Sequence, residues 1–93
     1  MNKKKLKLAR NQVDQLDQKI FNLIKKRTQI VKYMLSLKKF RKEIVDHKRN
    51  NAIFRKIKNK SIRNGIDPKI TKRIWKAMIW SYVDFQRRNF KKR

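Results

Sequence analysis

The chain of 93 residues carries 30 lysines and arginines against 6 aspartates and glutamates, so its formal net charge is +24. It contains no cysteine and a single histidine, which excludes a disulfide framework, a thiol nucleophile and a zinc–thiolate site, and we expect no metal or other cofactor. No apolar run reaches the roughly 20 residues that span a bilayer, and no secretory signal is visible. We therefore expect one soluble, cytoplasmic domain over residues 1–93.

The first predicted element is a helix over about residues 5–40. Its apolar residues recur mostly in steps of about three and four, the spacing of a coiled-coil seam. This apolar seam comprises Leu6, Val13, Leu16, Ile20, Leu23, Ile30 or Val31, and Met34. A helix of this length extends for around 50 Å and needs a partner of similar length. Because the other predicted helices are shorter, the seam predicts a homodimer in which the long helix packs against its copy.

Two further helices follow from capping signals. The periodicity lapses over residues 40–46, and Asp46 is placed to cap a helix over about residues 46–63. Gly65 suits the left-handed position after that helix, and Asp67 with Pro68 suits the start of a third helix over about residues 68–91. The apolar stripe of the third helix comprises Ile70, Ile74, Met78, Tyr82, Gln86 and Phe90, broadened by Trp75, Ile79 and Val83. We expect an all-α fold of three helices per chain, with a long first helix, in an intertwined homodimer.

Four polar side chains interrupt the apolar surfaces. They are Arg10, Arg27 and Lys38 in the seam of the first helix and Gln86 in the stripe of the third. Burying a cation costs several kcal/mol unless a counter-charge answers it. The nearby carboxylates that the sequence offers are Asp14, Asp17 and Asp84. Because this acidic supply is poor, the pattern predicts a pocket for an anionic ligand.

Helical geometry relates these cations to one another. Lys38 follows Arg27 by 11 residues, so the two point the same way roughly 16 Å apart along the helix axis. Arg10 lies roughly 25 Å from Arg27, so we expect it to reach the site of an antiparallel partner chain. Arg49, at the start of the second helix, can add a fourth cation. The alternative is that Arg10 and Lys38 are solvent-reaching side chains at the ends of the seam.

No catalytic nucleophile accompanies these cations. The chain has no Ser–His–Asp pattern and no Gly-rich phosphate loop, and we expect His47 to lie at the surface beside Asp46. An enzyme made of these residues would work by positioning and electrostatics.

The stretch ARNQVDQLDQKIFNLIKKR, residues 9–27, resembles the opening of the all-helical chorismate mutases. In that family an arginine, an I/V-D-x-L/I-D motif and an apolar ladder lead to a second arginine, and Lys38 stands where the family has its lysine. DHKRNNAIF, residues 46–54, is similar to the family's segment ending in Arg-Glu and two apolar residues. GIDPKITKRIWKAMIWSYVDFQ, residues 65–86, resembles the final helix, which closes with glutamine or glutamate. The ordered set covers nearly the whole chain.

The resemblance implies an intertwined dimer that rearranges chorismate to prephenate, the branch step toward phenylalanine and tyrosine. It implies that Arg27 and the partner's Arg10 hold the carboxylates of the dianionic substrate. It also implies that Lys38 and Gln86 address the ether oxygen whose bond breaks, and that Lys38 can touch a carboxylate.

The same resemblance marks two departures at the polar end of the pocket. It implies that Arg49 supports that end and that the backbone near Asp46 contacts the ring hydroxyl of the substrate. Asn50 stands where the family usually has a glutamate that accepts from this hydroxyl, so we expect weaker substrate binding. Tyr82, with Ser81 beside it, stands where the family often has serine, and its side chain would narrow the pocket or supply its own hydroxyl.

Other functions stay open on the sequence alone. Isochorismate pyruvate-lyase uses the same fold and similar cations, and a decayed mutase kept as a structural or regulatory partner would tolerate Asn50 and Tyr82. A basic helical nucleic-acid-binding protein would explain the charge of +24, but it would not explain why Arg27 and Gln86 interrupt apolar surfaces. The cations are spread along the chain, which also fits compositional drift, so we expect no membrane partner and only non-specific contact with nucleic acid.

Overall fold

The computed structural model describes residues 2–91 and contains three α-helices. They are α1 (Lys3–Leu37), α2 (His47–Arg63) and α3 (Pro68–Asn89), with a short 3-10 helix, Arg41–Glu43, between α1 and α2. Residues 2–91 include no strand, so the expected all-α class, with three helices and a long first one, is confirmed. None of the helices in this range has the length and apolarity needed to cross a bilayer.

The chain divides into two compact units, one ending at Tyr33 and one beginning at Met34. The first unit is a segment of α1, and Val31 is buried in it. The other seam residues of this segment are about half exposed or more, from 45% at Leu6 to 63% at Leu23. A row of exposed apolar side chains along one helix is typical of a surface that another molecule covers.

The end of α1 differs from the prediction. The helix ends at Leu37 rather than near residue 40, so Lys38 follows the helix instead of continuing it. The side chain of Glu43 accounts for this earlier end of α1. Its Oε2 accepts hydrogen bonds from the backbone N–H groups of Lys39, at 2.7 Å, and Phe40, at 3.0 Å. In a longer helix these two groups would donate to carbonyls four residues earlier. The predicted lapse over residues 40–46 is confirmed, and the 3-10 helix lies in it.

The capping predictions for α2 and α3 are confirmed. Asp46 Oδ1 accepts from the backbone N–H of Arg49 at 2.9 Å and caps α2. Asp67 Oδ1 accepts from the backbone N–H of Lys69 at 2.9 Å, with Pro68 in the first turn of α3. Gly65 has a φ of 68°, in the left-handed region that follows many helices.

The core of the second unit lies where α2 and α3 pack together. Its buried residues are Ile44, Ser61, Ile79, Val83 and Gln86. The Ser61 hydroxyl donates to the Ile57 carbonyl at 2.6 Å and shares a hydrogen bond of 2.7 Å with the Thr71 hydroxyl, which joins α2 to α3.

The predicted apolar stripe of α3 is only partly buried. Ile70 and Ile74 are 55% and 52% exposed, whereas the buried line runs through Ile79, Val83 and Gln86. Steps of four residues advance by more than one turn of about 3.6 residues, so a stripe built only on such steps rotates off one face. Residues that stay on one face alternate steps of three and four, as the buried line does.

Candidate active site

The site is centred on a hydrogen bond between two residues that the sequence singled out. Lys38, half-buried, follows α1 directly, and Gln86 lies in the last part of α3 with only 7% of its surface exposed. The Lys38 Nζ donates to Gln86 Oε1 at 2.7 Å. The fold therefore brings together the two groups that were expected to address one ligand oxygen.

The amide of Gln86 is held at both ends. Its Oε1 accepts from Lys38, and its Nε2 donates to the backbone carbonyl of Tyr82, one turn earlier on α3, at 3.2 Å. The ammonium carries three N–H groups and the amide carries two. After these two bonds, the pair still has N–H groups with which to bind an oxygen of a ligand.

Two carboxylates act on the Lys38 ammonium. Burial lowers the pKa of Lys38 below 10.5, and the negative charges of Glu43 and then Asp46 oppose that effect. Asp84, one of the counter-charges predicted from the sequence, instead forms an exposed ion pair with Arg88 at 2.9 Å. The carboxylates that matter for Lys38 come from the turn that follows it in the chain.

The remaining predicted residues of the second unit lie at the start of α2 and on α3. Asp46 caps α2, and the side chain of Arg49 in the first turn is exposed. Asn50 is half-buried, and its N–H donates to the Asp46 carbonyl at 2.9 Å. Tyr82 is also half-buried. Contacts of Arg49, Asn50 and Tyr82 with a ligand stay predictions.

Arg10 and Arg27 lie on α1 in the first unit. Arg10 is exposed, and Arg27 is half-buried. Arg27 lies four residues before the buried Val31 and is less exposed than the apolar seam residues Leu23 and Ile30. The expected reach of both arginines toward one anionic ligand stays a prediction.

Two contacts of the second unit were not predicted. The sequence predicts only a helix break around Glu43, which is the one carboxylate between Asp17 and Asp46. The capping-box pattern does not mark it, because Phe40, three residues earlier, is not a residue that opens such a box. The ring of His47 lies 6.4 Å from that of Trp80, and His47 is exposed as predicted.

A cleft of about 280 Å³ lies elsewhere in the second unit, between α2 and the start of α3. Its lining comprises Phe54, Arg55, Ile57, Lys58, Pro68, Lys69 and Lys72. None of the predicted site residues belongs to it, and its cations are exposed. This cleft is therefore separate from the pair formed by Lys38 and Gln86.

The family model described as chorismate mutase type II matches residues 9–87 of the chain. This range includes every predicted site residue, from Arg10 to Gln86. No curated protein and no solved structure gives a significant match.

Proposed function

Because the chain belongs to the chorismate mutase type II family and is an isomerase of that kind, we propose that it converts chorismate to prephenate at a site built on Lys38 and Gln86. In this rearrangement a carbon–oxygen bond breaks while a carbon–carbon bond forms, and no proton is transferred. The reaction therefore requires neither a nucleophile nor a general base. The observation that carries the proposal is the hydrogen bond of 2.7 Å between Lys38 Nζ and Gln86 Oε1.

The proposed mechanism is electrostatic stabilisation of the transition state. Partial negative charge builds on the ether oxygen as its bond to carbon breaks. The Lys38 ammonium and the Gln86 NH₂ group donate to that oxygen, and the hydrogen bond from Lys38 to Oε1 fixes which end of the amide carries the donors. Preorganised donors of this kind are each worth about 3–4 kcal/mol to the transition state. Partial burial of Lys38 strengthens its interaction with the developing charge.

Binding of the substrate carboxylates is proposed to require two chains. Chorismate is a dianion, and we assign its carboxylates to Arg27 and to Arg10 of a second copy. Half-burial of Arg27 supports its assignment. Fixing both carboxylates would hold the flexible enolpyruvyl arm in the chair-like conformation that reacts, which lowers the entropic part of the barrier.

The second copy is proposed to cover the apolar seam of α1. Leu6, Val13, Leu16, Ile20, Leu23 and Ile30 are all 45–63% exposed in the single chain. A helix of 35 residues presents them along about 50 Å. If an identical helix covers this seam, the two chains form an isologous interface. In such an interface each chain can supply an arginine to the site of the other chain.

The ring hydroxyl of chorismate is assigned to the start of α2. There the Asp46 backbone and the half-buried Asn50 offer oxygen acceptors, with Arg49 as a supporting cation. An uncharged acceptor binds a hydroxyl more weakly than a carboxylate does. Asn50→Glu should therefore lower KM for chorismate, and an unchanged or raised KM would contradict this assignment. Tyr82 is proposed to shape the pocket beside Gln86.

The test of the proposal is loss of chorismate absorbance with purified protein. Arg27→Ala should abolish turnover, and Arg73→Ala, which removes an exposed arginine of α3, should retain it. Both variants should keep the oligomeric state of the wild type. Absence of turnover by the wild type at millimolar chorismate would contradict the proposal.

Two alternatives are separable in the same preparation. Pyruvate release from isochorismate would indicate the lyase reaction. Nucleic-acid binding through the charge of +24 should fall steeply with salt, whereas mutase activity should fall more gently. We place the mutase reaction in the cytoplasm, on the route to phenylalanine and tyrosine, as membership of the family suggests.

A further inference from the structure

Glu43 lies in the turn between α1 and α2, outside the residues assigned to the site. It is the only carboxylate between Asp17 and Asp46, and four of the five residues before it are lysine or arginine. The hydrogen bonds and charges of this one acid suggest a role in the chemistry of Lys38.

The carboxylate of Glu43 fixes the backbone directly after Lys38. Its Oε2 accepts from the N–H groups of Lys39 and Phe40, at 2.7 and 3.0 Å. Lys38 is the first residue after α1 and directly precedes this fixed backbone. We therefore expect the two hydrogen bonds to influence the direction of its side chain.

The turn itself lies within the second unit. The N–H of Glu43 donates to the Phe40 carbonyl at 3.0 Å, and that of Ile44 donates to the Arg41 carbonyl at 3.1 Å. The Ile44 side chain is buried. The Arg41 guanidinium lies 5.7 Å from the ring centre of Phe90, at the end of α3. Glu43 therefore acts from a fixed position relative to the helix that carries the amide of the site.

Charge gives Glu43 a second effect on the ammonium. The charged groups acting on Lys38 are Glu43 in this turn and Asp46 at the start of α2, while α3 contributes the neutral amide of Gln86. Glu43 opposes the effect of burial and raises the pKa of Lys38. The hydrogen bond from the Phe40 N–H lowers the pKa of Glu43 in turn, so this carboxyl is ionised at neutral pH.

We propose that Glu43 is a positioning residue for the mutase reaction, whose carboxylate holds the backbone directly after Lys38 and so directs the Lys38 ammonium toward Gln86. This inference rests on the proposed function of Lys38 as a donor to the ether oxygen. Glu43 acts through Lys38 and not on the substrate. Its loss should therefore change kcat more than KM, because the charge on the ether oxygen develops in the transition state.

Two substitutions separate the two roles. Glu43→Gln keeps a side-chain oxygen that accepts from the backbone but removes the charge, whereas Glu43→Ala removes both. Asp84→Asn is the matched control, because it removes one carboxylate from an exposed ion pair. The titration of Lys38 is followed by NMR of isotopically labelled lysine side chains, with Lys38→Arg identifying its signal, and kcat/KM is measured against pH.

We expect Lys38 to titrate at lower pH in both Glu43 variants than in the wild type, with the alkaline limb of kcat/KM moving the same way. Asp84→Asn should leave both unchanged. Misplacement of the ammonium in Glu43→Ala should also lower kcat by about 10- to 100-fold, with a smaller change in KM. Glu43→Gln should keep kcat near the wild-type value at pH values where Lys38 is protonated.

An unchanged titration of Lys38 in Glu43→Gln would overturn the charge role. A folded Glu43→Ala enzyme with wild-type kcat would overturn the positioning role. The NMR titration does not depend on turnover. If the wild type had no mutase activity, the proposed function would be refuted, but the titration would still show whether Glu43 influences Lys38.

Discussion

Lys38 and Gln86 are 48 positions apart in the chain, and the ammonium of one donates to the amide oxygen of the other at 2.7 Å. The bond joins the residue after α1 to the last part of α3. This bond also orients the amide of Gln86. Because Oε1 faces Lys38, Nε2 is the atom that donates to the Tyr82 carbonyl. A primary amide has the same shape with its O and N exchanged, so this contact determines which group a substrate oxygen would meet.

Removing the amide should therefore remove a donor. Gln86→Ala should lower kcat by about 100- to 1,000-fold, the usual loss for one preorganised donor. Gln86→Glu should be poorly active at neutral pH, because an ionised carboxylate accepts from Lys38 and has no proton to donate, and it should recover activity as the pH falls. Steady-state kinetics of folded variants are the measurement, with the exposed Gln18→Ala as control. Wild-type kcat in Gln86→Ala would contradict the role of the amide.

The activity should decline at alkaline pH. Lys38 must be protonated to donate, and burial lowers its pKa below 10.5, so kcat/KM should fall as the pH rises through that lowered value. Lys38→Arg keeps a cation that stays charged throughout the accessible pH range, so any activity that this variant retains should not decline at alkaline pH in this way. The measurement is kcat/KM as a function of pH for both proteins. The same alkaline decline in Lys38→Arg as in the wild type would assign the titration to another group.

Mixing experiments should show which chain supplies each residue. Arg10→Ala and Lys38→Ala proteins, each inactive alone, should regain about one quarter of wild-type activity when unfolded and refolded together, because about half of randomly paired dimers contain one intact site. Lys38→Ala mixed with Gln86→Ala is the control that should not recover, since both groups belong to one chain. Failure of the first mixture with dimers present would place Arg10 outside the partner's site.

The turn between α2 and α3 should depend on glycine. Gly65 has a φ of 68°, and no atom lies within 4 Å of where a Cβ would be. Gly65→Ala should therefore destabilise the protein by about 1 kcal/mol through backbone conformation alone, and Gly65→Asn should cost less because asparagine tolerates the left-handed region. Urea unfolding measures both. Equal stability of the alanine variant and the wild type would show that the turn relaxes.

The helices could be predicted where a residue of special conformation or a capping side chain marks their ends. The turn between α2 and α3 is marked by Gly65, Asp67 and Pro68, and the start of α2 is marked by Asp46. The end of α1 has no glycine or proline, and it is produced by Glu43, six residues beyond the last helical residue. Such a contact forms only when the turn folds back on the end of α1. The spacing of apolar residues along the helix does not predict it.

The site residues could be predicted where a polar side chain occupies a position in an otherwise apolar pattern. Gln86 stands in an apolar stripe and is buried, and Lys38 continues an apolar seam and is half-buried. The pairing between them could not be derived from spacing, because it joins distant parts of the chain. The effect of Glu43 and Asp46 on Lys38 was not predicted, because the counter-charges expected from the sequence, Asp14, Asp17 and Asp84, all lie on the long helices.

The exposed seam and the large positive charge together should give this enzyme an ionic-strength optimum. Joining two chains brings two charges of +24 together, so electrostatic repulsion opposes assembly most strongly at low ionic strength. Added salt screens that repulsion, but it equally screens the attraction between a cationic site and a dianion. In dilute, low-salt solution the proposed dimer would separate, and each chain would lose the arginine that we assign to its partner. At high salt the assembled enzyme would capture its substrate more slowly. Turnover should therefore pass through a maximum as salt is raised, and this maximum should move to lower salt as the protein concentration increases.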